Sequence, residues 1–333
     1  MRFLLISFFT LIFSTYVFSQ GCCSGGAGSP IAGGAATGVL QENQMEVSIN
    51  YQYNKSNKFF TENRDTTSLF NNLSSNYLFF RIDYGLSKKF TLSVASGYFL
   101  DKTKIGKYND TISANGIGDL IIFPRYSIYN KTANFKRTAV VIGLGLKIPL
   151  GSHNETTNLG SYGIDNYQMN PPMLQTTNGS NDFMFTSFFF REYQKSKLRF
   201  FISSLYVKKG FNSLGIKYGD YTSVSFFASK TLFYRWGVTT QIKAENIGQI
   251  KAAEDIELLN YDIYSESTGS KKWFFIPQLS YSQNGLTVFA AYEIPLYQYL
   301  NGTQVGSQYQ FTVGVNYRFL TKECESDILP LSK

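Results

Sequence analysis

Residues 308–319, QYQFTVGVNYRF, alternate at each step between an apolar or aromatic side chain and a polar or small one. A period of two places the two kinds of side chain on opposite faces of a β-strand. The same pattern recurs from residue 44 to residue 319 and predicts twelve strands. Such a chain must cover its apolar faces either with a protein core or with lipid, and the connections between the strands favour lipid.

The connections fall into two kinds, which alternate along the chain. Short turns follow the second, sixth, eighth and tenth predicted strands, at 87–89, 192–197, 233–235 and 283–285, and a moderate connection, 129–138, follows the fourth. Long connections follow the first, third, fifth and ninth strands, at 55–73, 99–115, 151–178 and 246–271, and intermediate ones follow the seventh and eleventh. Short and long connections therefore gather at opposite ends of an up-and-down sheet. The register of one strand, in 181–191, stays open because both of its faces are apolar.

Composition and backbone chemistry narrow the fold further. Charged residues make up only 16% of the chain and aromatic residues 17%, while the mean hydropathy is −0.15. A sheet in lipid must close on itself because every backbone N–H and C=O there needs a protein partner. We therefore predict an all-β fold, a single closed antiparallel transmembrane barrel of about twelve strands over residues 43–319, in the outer membrane of a Gram-negative cell. A secreted β-sandwich is the alternative.

The amino terminus predicts export. Arg2 precedes an apolar run, and Val17 and Ser19 suit a signal-peptidase site, so we assign 1–19 to a signal peptide. The apolar run is shorter than the ~20 residues that a membrane-spanning helix needs. Lipidation of Cys22 or Cys23 is a second reading, although the residues before them form a poor lipobox. The leader 20–42 and the tail 320–333 are then periplasmic, and the long loops are extracellular.

The two faces of the predicted strands have different tasks. Outward tyrosines near strand ends are expected to form interfacial girdles: Tyr53, Tyr84, Tyr98, Tyr281 and Tyr317. The predicted lumen face carries charges of both signs: Arg81, Asp83, Asp119, Arg125, Lys147, Arg199, Lys243, Glu245, Glu293 and Arg318. These charges either select solutes or form a structural network of ion pairs. We adopt the structural role for most of them, and we expect no strong ion selectivity.

Three cysteines lie in the two tails, where an exported chain can form disulfides. Barrel closure brings the tails together, so a bridge from Cys324 to Cys22 or Cys23 is geometrically open. Metal capture by the adjacent Cys22 and Cys23 is the rival, but they have no further His or Cys ligands nearby. We predict no metal and no cofactor.

Enzymatic and nucleic-acid functions find no support in the sequence. His153 is the single histidine and falls in a predicted surface loop, whereas a Ser–His pair would have to be held rigidly for catalysis. The net charge of +8 comes from lysines scattered over the loops, and no basic-aromatic patch is predicted. Anionic lipid phosphates account for that charge more simply than nucleic acid.

Three segments carry a family resemblance: GIGDLIIFPRYSIY (116–129), GLGLKIPLGSHNE (143–155) and NPPMLQTTNGSNDF (170–183). They are similar to outer-membrane transporters associated with the meta-pathway of phenol degradation, which are relatives of long-chain fatty-acid-transporter barrels. The matching residues are Asp119, Lys147, Pro149, Gly151, Pro171, Pro172, Leu174, Gln175, Gly179, Ser180 and Asp182. Leu150 stands where that family usually has threonine. The resemblance implies uptake of small, often apolar molecules.

The Gly- and Ala-rich segment 21–40 leaves two structural alternatives. It is either a flexible periplasmic leader or, as the same resemblance implies, a plug that folds into the lumen. Two functions stay open as well. The first is an outer-membrane channel for small solutes, hydrophobic or aromatic ones included. The second is a non-conducting barrel that serves as a subunit or scaffold of an envelope complex for secretion or assembly.

Overall fold

A computed structural model describes residues 38–108, 110–158 and 165–322. Within these residues, twelve long strands pair in antiparallel order, and the last pairs with the first, so the sheet closes. The strands are β1 (Gln44–Ser56), β2 (Asn72–Ser87), β3 (Phe90–Ile105), β4 (Asp119–Ala133), β5 (Lys136–Pro149), β6 (Asp182–Tyr193), β7 (Leu198–Lys208), β8 (Tyr221–Leu232), β9 (Trp236–Ile247), β10 (Ser270–Gln283), β11 (Leu286–Val305) and β12 (Tyr309–Leu320). The predicted twelve-stranded closed barrel is confirmed.

The outer surface of the wall is apolar, as the alternation predicts. Ile49 is 46% exposed, whereas its neighbours Ser48 and Asn50 are buried in the interior. The open register of 181–191 is resolved in the same way, because Met184 and Phe188 point inward while Phe183 points outward. A strand whose two faces are both apolar has one face in lipid and the other against apolar neighbours inside the barrel.

The short turns gather at one end of the barrel, called here the turn end. The predicted moderate connection 129–138 is wrong, because β4 and β5 extend until only Asn134 and Phe135 join them, with φ of 50° and 58°.

At the other end of the barrel, the predicted intermediate connection after the eleventh strand is also wrong. β11 continues to Val305 and leaves three residues, 306–308, before β12.

The longer connections form small structures at the opposite end, called here the loop end. Thr111–Ile117 extends the line of β4 and pairs with β3. The other short elements are the strands Phe59–Glu62, Arg64–Thr66, Thr156–Asn158, Tyr167–Met169, Ile216–Lys217 and Lys251–Ala252 and the 3₁₀-helices Leu258–Tyr261 and Ser265–Ser267. No helix in the described part of the chain is long and apolar enough to cross a membrane.

Glycines in the wall make room for aromatic rings inside the barrel. A Cβ on Gly143 or Gly145 would lie 2.6 or 2.8 Å from the ring of Phe123 on the neighbouring strand. A Cβ on Gly97 would lie 2.0 Å from the hydroxyl of Tyr77. The GLGLK segment therefore contains glycine because a ring on β4 lies flat against β5.

Candidate functional site

The interior of the barrel has a polar side and an apolar side. On β12 and β1, and near the turn end of β2 and β3, the inward side chains are mainly polar or charged: Thr312, Asn316, Glu46, Ser48, Asn50, Gln52, Arg81, Asp83, Thr91 and Ser93. On β4 to β8 many of them are apolar: Ile121, Phe123, Val141, Met184, Phe188, Phe190, Phe201, Leu205, Val207 and Phe227. The enclosed space is therefore amphipathic across its width.

The inward apolar side chains form three separate clusters along the barrel, which together we call the apolar lane and which also include residues of β2, β3 and β11. Near the loop end the cluster consists of Phe59, Phe70, Leu73, Met173, Leu174 and Val305. The middle cluster consists of Tyr77, Phe79, Ala95, Ile121, Phe123, Met184, Leu205 and Val207. Toward the turn end it consists of Ala139, Val141, Phe188, Phe190, Phe201 and Phe227. The predicted lumen set consisted of charged residues alone and missed this lane.

Charges near the turn end form a closed network of ion pairs. Asp83 is 1% exposed and accepts hydrogen bonds from Arg81 and Arg125, each at 2.8 Å. Glu46 accepts from Arg81 at 3.2 Å and from the Nε of Arg318 at 2.8 Å. Buried charges that satisfy one another add little free charge to a lumen. The predicted structural role is therefore consistent with the geometry of this group.

A second ionic cluster lies near the loop end and unites residues of the three resemblance segments. Lys147 Nζ lies 2.6 Å from Asp119 and 4.0 Å from Asp182, and Lys209 Nζ lies 2.8 Å from Asp182. Burial, together with the neighbouring Lys147 ammonium, lowers the pKa of Lys209 in the β7–β8 loop to about 8. Two lysines thus share two carboxylates at the rim of the interior.

The remaining predicted charges separate into a buried pair and an exposed one. Lys243 Nζ lies 2.7 Å from Glu293 and 3.6 Å from Glu245. Arg199 pairs with Glu192 at 2.9 Å, but its side chain is 41% exposed. Arg199 lies in the inward row of β7 with Phe201 and Leu205, at the turn-end rim, and its role in lining the lumen stays a prediction.

The loop between β5 and β6 folds back over the loop end. Its residues 170–177, called here the loop tip, bury Leu174 completely within the loop-end cluster. Gln175 fastens the tip, because its amide donates to the carbonyls of Glu155 and Asn170 and accepts from the Glu155 N–H. Lys102 on β3 donates to the Gln175 carbonyl at 2.5 Å. The Pro-Pro-x-Leu-Gln segment thus covers the interior.

Residues before β1 run across the turn end. The Leu40 N–H donates to the Thr91 hydroxyl at 2.9 Å, and Val39 packs against the turn-end cluster of the apolar lane. A Cβ on Gly38 would lie 2.7 Å from the Val141 side chain, across the barrel from β1. The signal peptide 1–19, the leader from 20 to 37 and Cys22, Cys23 and Cys324 lie outside the described residues.

Some interior residues were missed because of where they stand in the sequence. Glu46 lies on the polar face of β1, and pairing it with Arg81 would have required the register between β1 and β2. Lys209 lies in a loop, where alternation gives no signal. His153 is in a loop as predicted, with its Nε2 2.8 Å from the Ser213 hydroxyl. In the described ranges, no three His, Cys, Asp or Glu side chains are grouped to hold a metal ion.

The chain is similar to several solved structures. An outer membrane channel from Pseudomonas putida F1 has a TM-score of 0.60 at 11% identity, over 84% of this chain and 97% of that one. The β domain of the Bordetella autotransporter BrkA scores 0.46 at 10% identity, over 83% and 99%. A FadL homologue from Pseudomonas aeruginosa scores 0.40 at 8% identity, over 82% and 90%.

The likeness to these structures is one of fold. The chain has the closed β-barrel of outer-membrane channels, on the evidence of the Pseudomonas putida channel. No family model and no curated protein matches the sequence. The resemblance to transporters of the phenol-degradation pathway therefore stays a prediction.

Proposed function

We propose that this barrel is an outer-membrane channel for small solutes, hydrophobic and aromatic ones included. The apolar lane is the observation that carries the proposal: its side chains are packed against one another inside the barrel, and an apolar solute that parts them would exchange water for apolar contacts. Ligand sites are characteristically apolar with a few convergent polar groups. Tyr77 of the middle cluster lies on β2 directly opposite Gln52 of β1, so an apolar ring and a polar side chain meet there.

The paired charges support the same conclusion. A pore selective for ions exposes a ring of fixed charge to the solute. Here the carboxylates of Glu46, Asp83 and Asp182 each lie against at least one basic side chain. The interior charges therefore hold the wall together and leave solute contact to the apolar lane.

We place the turn end and both termini in the periplasm and the long loops outside the cell. Cysteines introduced as Ser196→Cys, in the β6–β7 turn, and Asp255→Cys, in the β9–β10 loop, test this orientation; both positions are exposed. With Cys22, Cys23 and Cys324 changed to serine, a membrane-impermeant maleimide should label the loop cysteine on intact cells. The turn cysteine should react only after the outer membrane is permeabilised. The reverse pattern would invert the assigned topology.

The scaffold function remains the competing hypothesis, and solute entry separates the two. Cells that express the full-length protein should admit a small neutral aromatic fluorophore faster than cells without it, because the lane gives an apolar route through the outer membrane. The variant Met184→Lys, which places a charge in the middle cluster, should slow that entry. Its folding is checked by heat-modifiable gel migration.

A scaffold barrel predicts a different result. Cells with correctly inserted protein would then admit the fluorophore at the rate of cells without it. A small charged solute serves as the control, and its entry should not change with expression.

A further inference from the structure

We propose that one sector of the turn end is a binding surface for anionic phospholipids. The sector, called here the basic sector, consists of the turns β4–β5, β6–β7 and β8–β9 with the strand ends beside them. Residues 126–142, 187–203 and 225–241 cover it. The proposal is independent of which solute the barrel takes.

The basic sector has a strong excess of positive charge. Its basic residues are Lys131, Lys136, Arg137, Arg191, Lys195, Lys197, Arg199, Lys230 and Arg235. Its single carboxylate is Glu192, which already pairs with Arg199 at 2.9 Å. The lysines that the sequence scatters over separate turns are therefore gathered by the fold, and the expectation that no basic-aromatic patch forms is wrong.

The three turns are physically continuous. The Gln194 N–H donates to the Phe135 carbonyl at 2.9 Å, and the Thr231 N–H donates to the Lys197 carbonyl at 3.2 Å. The first hydrogen bond joins the β6–β7 turn to the β4–β5 turn, and the second joins the β6–β7 turn to the end of β8. The charges therefore form one surface on a rigid rim.

Exposed aromatic rings occupy the tips of the same turns. Phe135 is 60% exposed, Phe233 86% and Tyr234 85%. All three adopt positive φ, of 58°, 46° and 62°, a conformation that bulky side chains disfavour. The β10–β11 turn instead places Asn284 and Gly285 in this conformation. An Asn-Gly pair forms the same kind of turn between β10 and β11 with less strain. We infer that the large rings are present in the other turns because they bind a partner.

Cations stand directly over two of these rings. Lys195 Nζ lies 4.4 Å from the centre of the Phe135 ring, and Lys197 Nζ lies 3.4 Å from that of Tyr234. Amphipathic aromatic side chains and lysines are the groups that settle at the headgroup level of a bilayer. In the proposed complex, each aromatic ring contacts the lipid at the boundary between headgroups and acyl chains, and the lysine ammonium above it binds a lipid phosphate.

The position of the remaining charges favours lipid over a docked protein. Lys136 and Lys230 lie on the outward face of the strand ends, in the same rows as the lipid-facing Leu144 and Phe226. Arg191 also faces outward and donates to the Thr138 hydroxyl at 2.6 Å. A protein bound to the rim from the aqueous side would not reach this face, whereas phospholipid headgroups surround it.

Spin-labelled lipids test the proposal on the full-length protein in phosphatidylcholine vesicles. Labelled phosphatidylglycerol should be immobilised by the barrel in preference to labelled phosphatidylcholine, by about fivefold at low salt. The preference should fall sharply in 1 M salt because exposed charges are then screened. The triple variant Lys195→Gln, Lys197→Gln, Arg235→Gln should lose most of it.

A matched variant on the opposite side of the turn end controls for net charge. Lys88→Gln, Lys89→Gln and Lys322→Gln remove the same number of charges from the β2–β3 turn and the end of β12, outside the basic sector, and this variant should keep the preference. Heat-modifiable migration confirms that each variant is folded. Equal immobilisation of the two lipids by the wild-type protein would overturn the proposal, and so would an equal loss in the two variants.

Discussion

Removing residues 20–37 together with the loop tip should convert a barrel that passes little ion current into one that conducts in discrete steps. Residues 38–40 run across the turn end, and the loop tip covers the loop end through Leu174. If residues 20–37 form the plug, the plug and the loop tip obstruct the current in series, so either deletion alone should leave conductance low. The measurement is single-channel recording in planar bilayers, with 170–177 replaced by a short Gly-Ser linker.

The control is a shorter Gly-Ser replacement, of four residues, in an exposed part of another loop. Residues 254–257 of the β9–β10 connection serve, since Glu254 and Asp255 are exposed. This variant, combined with the leader deletion, should conduct no better than the leader deletion alone. Equal conductance in full-length protein and in the double deletion would show that neither segment obstructs the barrel and that the leader is not a plug.

Asp83→Ala should destabilise the barrel by about 3–5 kcal/mol, the usual cost of leaving a buried charge without its partner. Asp83 accepts from two arginines, and its side chain is 1% exposed. The substitution removes one of the two carboxylates that pair with Arg81 and the carboxylate that pairs with Arg125. The free energy of unfolding is measured by guanidinium titration in phospholipid vesicles, with Trp236 and Trp273 as fluorescent reporters of the lipid-facing wall.

The matched control removes a carboxylate from an exposed pair on the same type of strand. Glu192→Ala breaks the pair with Arg199, whose side chain is 41% exposed, and should cost no more than about 1 kcal/mol. Ion selectivity, measured as reversal potential in the conducting double-deletion background, should change little with Asp83→Ala. A large change in selectivity without a loss of stability would assign Asp83 to a selectivity lining.

The wall of the barrel was predictable from sequence because alternation is local. In each strand, apolar residues at every second position mark the face that contacts lipid, as Val313, Val315 and Tyr317 do in β12. Strand ends were less predictable. In β11, Leu296 interrupts the pairing with β10 and the strand continues to Val305, so the connection before β12 was overestimated.

The interior was only partly predictable, because the pattern tells which face a residue is on and not what lies opposite. Arg81 and Asp83 lie buried on the inward face of β2, and the carboxylate and the arginine that pair with them, Glu46 and Arg125, come from other strands and depend on register. Phe123 lies on the inward face of β4 against Gly143 and Gly145 of β5, a contact that also depends on register. The loop tip and the basic sector arise from segments far apart in the chain, which no local pattern joins.

The most direct test of a solute route along the apolar lane is photolabelling of the full-length protein in vesicles with a small neutral aromatic diazirine. A probe dissolved in the bilayer will label outward side chains such as Leu144 in any barrel. A probe that enters the lane should in addition label inward residues of the middle cluster, Tyr77, Met184 and Leu205, and an excess of an unreactive aromatic competitor should reduce those adducts selectively. Mass spectrometry locates them. Adducts on inward residues that the competitor removes are the result we predict; adducts confined to lipid-facing residues would contradict a solute route inside the barrel.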